Sequence, residues 1–386
     1  MKVTDVKCII ADCFRTNWAF VKVYTDEGID GVGEATLEYK EKALAGAVEH
    51  IRDYLIGKDP TRIEEHFQTI YRDAYWRGGP VLMSALSAVE IALWDILGKS
   101  LGVPVYKLLG GKMRDSVRIY ANGWFAGAKK PDEFAAKAKI ARERGLTAIK
   151  CDPFGKSFMN ISNADLDTAL ECVAKVKEAT EGKVDLLIEG HGRFNVPTAV
   201  TIAKKLLEFG PTFFEEPVPP DNLDALAEVR SKSPVPVSAG ERLYSLRNFR
   251  DLFEKHAADY VQPDVSHAGG ILELKKIAAM ADSFYIPFAP HNPSGPVANA
   301  ATLQLAACTN NFCILEIMYS DVTWRREICD EKLEYKDGFI TIPDRPGIGV
   351  SINEEECAKH PYLPHTLRHY TGALTDIRSA ETAFFY

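Results

Sequence analysis

VDLLIEGHGRFNVPTAVTIAKKLLEFGPTFFEEPVPPDNLDALAEVRSKSPVPVSAGE, residues 184–241, decides the fold. Short apolar runs at 184–190, 211–216 and 235–240 alternate with amphipathic helical patterns near 197–209 and 222–231. Alternation of this kind builds parallel sheet covered by helices. Working outward, the pattern continues downstream with strands at 259–263, 285–290 and 312–316, and helices near 246–256, 270–281 and 295–308. Upstream it adds strands at 117–122 and 146–151, and helices near 131–144 and 165–180. Eight strands joined by seven helices over 116–320 predict a closed α/β barrel without its last helix, rather than an open doubly wound sheet.

Residues 1–115 read differently. The runs 18–25 and 30–36 flank the turn Asp26-Glu27-Gly28, a hairpin signal, and helical patterns fill 40–57, 61–75 and 79–101. This predicts an α+β domain ending near Gly110-Gly111. Residues 321–386 are irregular and are expected to pack back on that first domain.

The same central stretch carries the chemistry. Glu189, Glu215 and Glu241 end three consecutive strands, at spacings of 26 and 26 residues. In a barrel the C-terminal strand ends converge, so three carboxylates meet at one point, where they repel unless a cation sits among them. Three hard oxygen ligands suit Mg²⁺ better than Zn²⁺. Lys150, His191, Asp264, His291 and Glu316 fall on the same rim, whereas His267 reads as structural and Cys151 points away by strand alternation.

The wider composition sets limits. The 386 residues carry 46 Lys plus Arg against 54 Asp plus Glu, a net charge of −8 without a basic stripe, which argues against nucleic acid as a partner. The N-terminus lacks a signal-peptide h-region, and no apolar stretch is expected to approach the ~20 residues needed to span a bilayer. Eight cysteines without a C-x-x-C pair read as reduced thiols of a cytoplasmic protein.

Further motifs carry a resemblance. ALSAVEIALWDILGKSLGVPVYKLLGG (85–111) resembles the N-terminal signature of mandelate racemase and muconate lactonizing enzymes. AIKCDPFG (148–155), LLIEGHGRFN (186–195), FFEEPV (213–218), GERL (240–243), QPDVSHAGG (262–270) and PHNPSGP (290–296) resemble the sugar-acid dehydratases of that group, particularly gluconate dehydratases with YANGW (120–124). The resemblance spans the chain. It implies the enolase superfamily architecture: an α+β capping domain over a modified (β/α)7β TIM-type barrel, with an essential Mg²⁺ and a homo-oligomeric state, octamer or dimer.

By that resemblance Glu189, Glu215 and Glu241 match metal ligands, His291 the general base, Asp264 its orienting carboxylate and His191 the general acid. Lys150 and Glu316 match polar groups around the substrate carboxylate. Two departures stand out: Glu189 replaces the commoner Asp, and Asp152 occupies the place of the racemases' second Lys. The expected reaction is dehydration of a gluconate- or galactonate-like aldonate to a 2-keto-3-deoxy acid through an enediolate. The rival is a racemase, epimerase or cycloisomerase of the same superfamily; a non-catalytic sugar-acid sensor is the rival from another class. Asn122 and Asp152 are expected to hold distal hydroxyls, and Arg15, Asn17, Trp18 and Tyr39 to close the site from the capping domain.

Overall fold

The computed structural model describes residues 1–73 and 75–366 and places 382–384 in a strand. The N-terminal domain is an antiparallel sheet of Val3–Asp12, Asn17–Thr25 and Asp30–Glu34, followed by helices Glu41–Leu55, Ile63–Gln68 and Pro80–Leu101. The helical pattern expected over 61–75 resolves into Ile63–Gln68 and a π-turn, Thr69–Asp73.

Pro80–Leu101 starts with proline in its first turn and stops at Gly102, whose φ of 68° is left-handed. Against the expectation that no apolar stretch approaches the length of a membrane span, this 22-residue helix has that length and apolar composition, and 83% of its most apolar window is buried inside the protein. Burial on several sides is why it lacks a polar face. The sheet lies directly on it. A Cβ at Gly31 or Gly33 would stand 2.0 or 1.8 Å from the carbonyl oxygens of Ala92 and Ala88, so only glycine permits this approach.

The barrel strands are Ser116–Asn122, Ala148–Cys151, Asp185–Glu189, Phe213–Glu215, Val237–Ala239, Tyr260–Val261 and Leu315–Met318. The first six pair in parallel in chain order, and Leu315–Met318 returns to pair with Ser116–Asn122. The strand expected at 285–290 shrinks to bridges from Phe288 to Val261 and Phe312, which close the circuit. Pro287 and Pro290 have no N–H to donate, so a longer ladder cannot form there. Seven helices alternate with these strands, from Pro131–Glu143 to Pro296–Cys308. Tyr120, Ala148, Leu187, Phe213, Ala289 and Ile314 fill the barrel interior and form the floor beneath the site.

The C-terminal segment divides. Phe339–Thr341 pairs with the start of the first barrel strand, so this part packs on the barrel rather than the capping domain. Trp324 donates to the Asp12 carbonyl at 3.0 Å, and Glu354 accepts from Lys22 and Tyr24 at 2.8 and 2.7 Å, tying the rest to the first sheet. Residues 367–381 and 385–386 of the expected segment lie outside the described residues.

Two buried carboxylates lock the capping domain onto the barrel. Glu34 accepts from the backbone N–H groups of Gly295 (2.6 Å) and Ala298 (2.8 Å), at the start of Pro296–Cys308. Glu90 accepts from Ile271 (2.7 Å), Leu272 (2.9 Å) and the Trp94 indole (2.7 Å), at the start of Gly270–Ser283. Each meets the orphan N–H groups and the positive end of a barrel helix. Glu90→Gln turns an amide NH₂ toward one of these donors. It should cost about 1–3 kcal/mol of stability, read as a lower denaturant midpoint. An unchanged midpoint would remove the lock from the account.

Candidate active site

Glu189 and Glu215 are direct register partners on adjacent strands, so the spacing of 26 residues sets their side chains abreast on the inward face. Glu241 follows the next strand, Val237–Ala239, and one carboxylate oxygen from each of the three lies within 4.8 Å of the others. Lys150 pairs in register with Leu187 and so also faces inward. Its ammonium reaches Glu189 at 3.1 Å, Glu215 at 2.8 Å and Glu316 at 3.0 Å. Cys151 is buried away from this cluster by alternation, and burial raises its thiol pKa.

The charges do not balance without a further cation. Burial and the neighbouring Glu189 charge push Glu215 well above the usual carboxylate range. Lys150 is held well above the usual ammonium range, because Glu215 and Glu316 outweigh its desolvation. Glu215 Oε1 is buried with no hydrogen-bond partner, and Glu189 Oε2 meets the Lys150 ammonium at 3.1 Å. Oxygens of this kind, aimed at one point from adjacent strands, fit a hard divalent ion.

Two histidines flank the cluster, each backed by a carboxylate. His291 Nδ1 lies 2.7 Å from Asp264 Oδ2, and its Nε2 lies 3.1 Å from Glu241. The Ser266 N–H donates to the other Asp264 oxygen at 2.7 Å. Burial opposes protonation of His291, yet Glu241, Asp264 and Glu316 together push it up to about 10. His191 Nδ1 lies 2.6 Å from Asp152 Oδ2, and its pKa is raised because the charge of Glu189 and the Asp152 bond outweigh burial. The His191 backbone sits at φ 49°, a left-handed conformation uncommon for a side-chain-bearing residue, and its N–H donates to Glu189 Oε1 at 2.7 Å.

These groups line a cavity of about 460 Å³ whose far wall is Arg15 and residues 36–40 of the capping domain. Lys150, Asp152, Glu189, His191, Glu241, His291, Asn122 and Tyr39 all line this cavity. Glu215, Asp264 and Glu316 are fully buried behind them. Asn122 spends its amide on Glu316 Oε1 (2.9 Å), so it braces a carboxylate as well as facing the cavity. The expectation fails for Trp18, which is fully buried and packs beneath Gly295 instead of entering the cavity. Asn17 is also buried, holding Leu363.

Sequence reasoning set His267 aside as structural and passed over Arg242 and Arg193. His267 lines the cavity, 2.8 Å from Ser84 of the capping domain. Arg242 pairs with Glu216, the second acid of the Glu-Glu-Pro motif. Arg193, 1% exposed, pairs with Asp152. A signal for it existed: a carboxylate on a rim of carboxylates needs a cation, and Arg193 is the nearest one along the chain on the next loop.

Two family matches agree with this geometry. Residues 6–110 match the mandelate racemase/muconate lactonizing enzyme N-terminal domain, and residues 133–356 the enolase C-terminal domain-like family. The chain therefore belongs to the enolase superfamily. It is 38% identical to a D-galactonate dehydratase of Variovorax paradoxus over 345 residues, covering 88% of this chain and 89% of that protein. It is 37% identical to a D-gluconate dehydratase of Thermoproteus tenax over 346 residues, covering 89% and 70%. A crystal structure of a mandelate racemase/muconate lactonizing enzyme from Jannaschia sp. CCS1 superposes with a TM-score of 0.88 at 30% identity, covering 96% of this chain and all of that one.

Proposed function

We propose that the protein is a hydro-lyase that converts an aldonate to a 2-keto-3-deoxy sugar acid. The observation that carries this reading is the pair of carboxylate-backed histidines on one cavity. Elimination of water needs one group to take the C2 proton and another to give a proton to the departing C3 hydroxyl. The relatives named D-galactonate and D-gluconate dehydratase support the same reading.

Glu189, Glu215 and Glu241 would hold Mg²⁺, which when bound offsets the second negative charge that develops on the substrate carboxylate. Lys150 adds a fixed positive charge beside that group. With the Glu241 charge that holds its imidazole protonated offset by such an ion, His291 would take the C2 proton, and Asp264 holds its ring and steadies the imidazolium. Reliance on a Lys or His base with Mg²⁺ is the handling of such sites already described for enolase-type enzymes. His191 protonates the C3 hydroxyl, which leaves as water with the C3–O electron pair. The resulting enol tautomerises to the 2-keto acid.

A racemase needs a second base on the opposite face. Asp152 stands where that lysine would be and is committed to His191 and Arg193, which disfavours the racemase. With one base, one C2 configuration is turned over. The 2R acids D-gluconate, D-galactonate and D-xylonate are expected to exceed the 2S acids D-mannonate and D-arabinonate by about 10²-fold or more in kcat/KM. Semicarbazide absorbance of the 2-keto-3-deoxy products, measured for the five acids with Mg²⁺, checks this. Preference for the 2S pair would show another base, and no keto product from any sugar acid would end the dehydratase reading.

A further inference from the structure

Both oxygens of Asp152 are engaged within the protein. Its Oδ2 accepts from His191 Nδ1 at 2.6 Å, and its Oδ1 takes the Phe154 N–H at 3.0 Å together with the Arg193 guanidinium. Arg193 is itself bolted to backbone on both sides. Its other N–H groups donate to the Gly155 carbonyl at 2.7 Å and the Gly190 carbonyl at 3.1 Å. Those two glycines belong to the loops after barrel strands two and three, so the forked guanidinium fixes one loop against the other. Few arginines are buried to 1% exposure, and this one has every contact directed at the carboxylate behind His191 or at the loops that carry the pair.

We infer that Asp152 and Arg193 are positioning residues that fix the His191 ring at the cavity wall, and that Asp152 does not bind substrate hydroxyls. The inference rests on the proposed function and adds a second His–carboxylate pair to it. The two pairs are not equivalent. Each carboxylate takes a backbone N–H, but Asp264 lies 3.9 Å from a second histidine, His267, whereas Asp152 carries an arginine counter-charge. With Asp152 accepting from Nδ1–H, the ring plane is set and Nε2 is the nitrogen that serves the cavity.

Asp152→Asn tests this with almost no change of shape. Arg193 keeps the amide oxygen, so the amide NH₂ turns to His191 Nδ1. A donor there forces Nδ1 to accept, leaving a neutral ring in which Nε2–H is a poor acid. The readout is leaving-group rescue. Loss of the C3 hydroxyl as water needs a proton, whereas fluoride departs with its electron pair and needs none. The probe is the 3-deoxy-3-fluoro analogue of the aldonate that the wild-type enzyme dehydrates, assayed beside the parent acid with Mg²⁺.

Asp152→Asn and Arg193→Met are expected to lose about 10²-fold or more in kcat on the parent acid, with KM within about threefold. His191→Asn should share this pattern. Fluoride elimination should stay within about tenfold of wild type in all three, because removal of the C2 proton by His291 is untouched. Arg193→Lys, which keeps the charge but not the fork, should fall between and covers the case in which Arg193→Met does not fold. A raised KM with retained kcat for Asp152→Asn would overturn the inference and restore hydroxyl binding. Equal loss on both substrates would overturn it too, as would undiminished dehydration by Asp152→Asn. In each of these three cases a wild-type enzyme that dehydrates the parent acid leaves the proposed function standing. A wild-type enzyme that neither exchanges the C2 proton nor eliminates fluoride would sink both.

Discussion

His291→Asn should abolish dehydration and, with it, exchange of the C2 proton with solvent deuterium. The Asn side chain cannot take up a proton, so the first bond-breaking step has no acceptor. Asp264, fully buried behind His291 and held by the Ser266 N–H, is not placed to replace it. A base contributes about 10²–10⁴-fold, and the loss should reach the upper end because the Asn side chain offers no proton acceptor in place of the imidazole. Proton NMR in deuterium oxide reads exchange directly, and mass spectrometry reads turnover. His191→Asn provides the contrast: dehydration collapses while some exchange persists. If His291→Asn exchanged C2 at the wild-type rate, the base would have to be sought elsewhere on the rim.

Glu215→Gln is expected to be the most damaging single substitution in the carboxylate cluster. Glu215 is fully buried, and it faces Glu189 in register with one oxygen unpartnered. Removing its charge weakens the hold on a divalent ion: the amide oxygen stays on Lys150, 2.8 Å away, and the amide NH₂, which cannot ligate, falls at the unpartnered oxygen. Turnover should fall by roughly 10³-fold or more, the scale of several kcal/mol of charge stabilisation. The wild-type enzyme should show the same loss in excess chelator and recover with added Mg²⁺. Calorimetric titration with Mg²⁺ separates a binding defect from a folding defect. Full activity in excess chelator would end the metal reading.

Much of this arrangement is legible in sequence because barrel strands impose a period. Once 184–190, 211–216 and 235–240 are read as consecutive strands, the position of Glu189, Glu215 and Glu241 at their ends follows, and so does their convergence. His291 and Asp264 are legible for the same reason. What stays hidden depends on loops meeting across the chain. Nothing in residues 15–18 tells that Arg15 reaches the carbonyl of Pro293 at 2.8 Å while neighbouring Trp18 turns under Gly295. Asp152 was visible as a carboxylate on the rim, but its commitment to His191 and Arg193 depends on how two loops fold over each other. The strand at 285–290 is an error of a different kind. Its apolar pattern is right, and its prolines, equally visible, deny it the ladder.

The buried carboxylates Glu34 and Glu90 have a consequence for how the molecule comes apart. Each arises in the N-terminal domain and completes a barrel helix that follows the loop bearing Asp264 or the loop bearing His291. The helices Gly270–Ser283 and Pro296–Cys308 therefore have their first-turn donors satisfied only while both domains are docked. Asp95 extends the linkage, accepting from Val32 of the sheet and from Ile348 of the C-terminal segment at 3.0 and 2.9 Å. The regions matching two separate family domains should thus melt as a single cooperative unit. Calorimetry should show one endotherm, and a barrel expressed without residues 1–110 should be unstable rather than merely inactive.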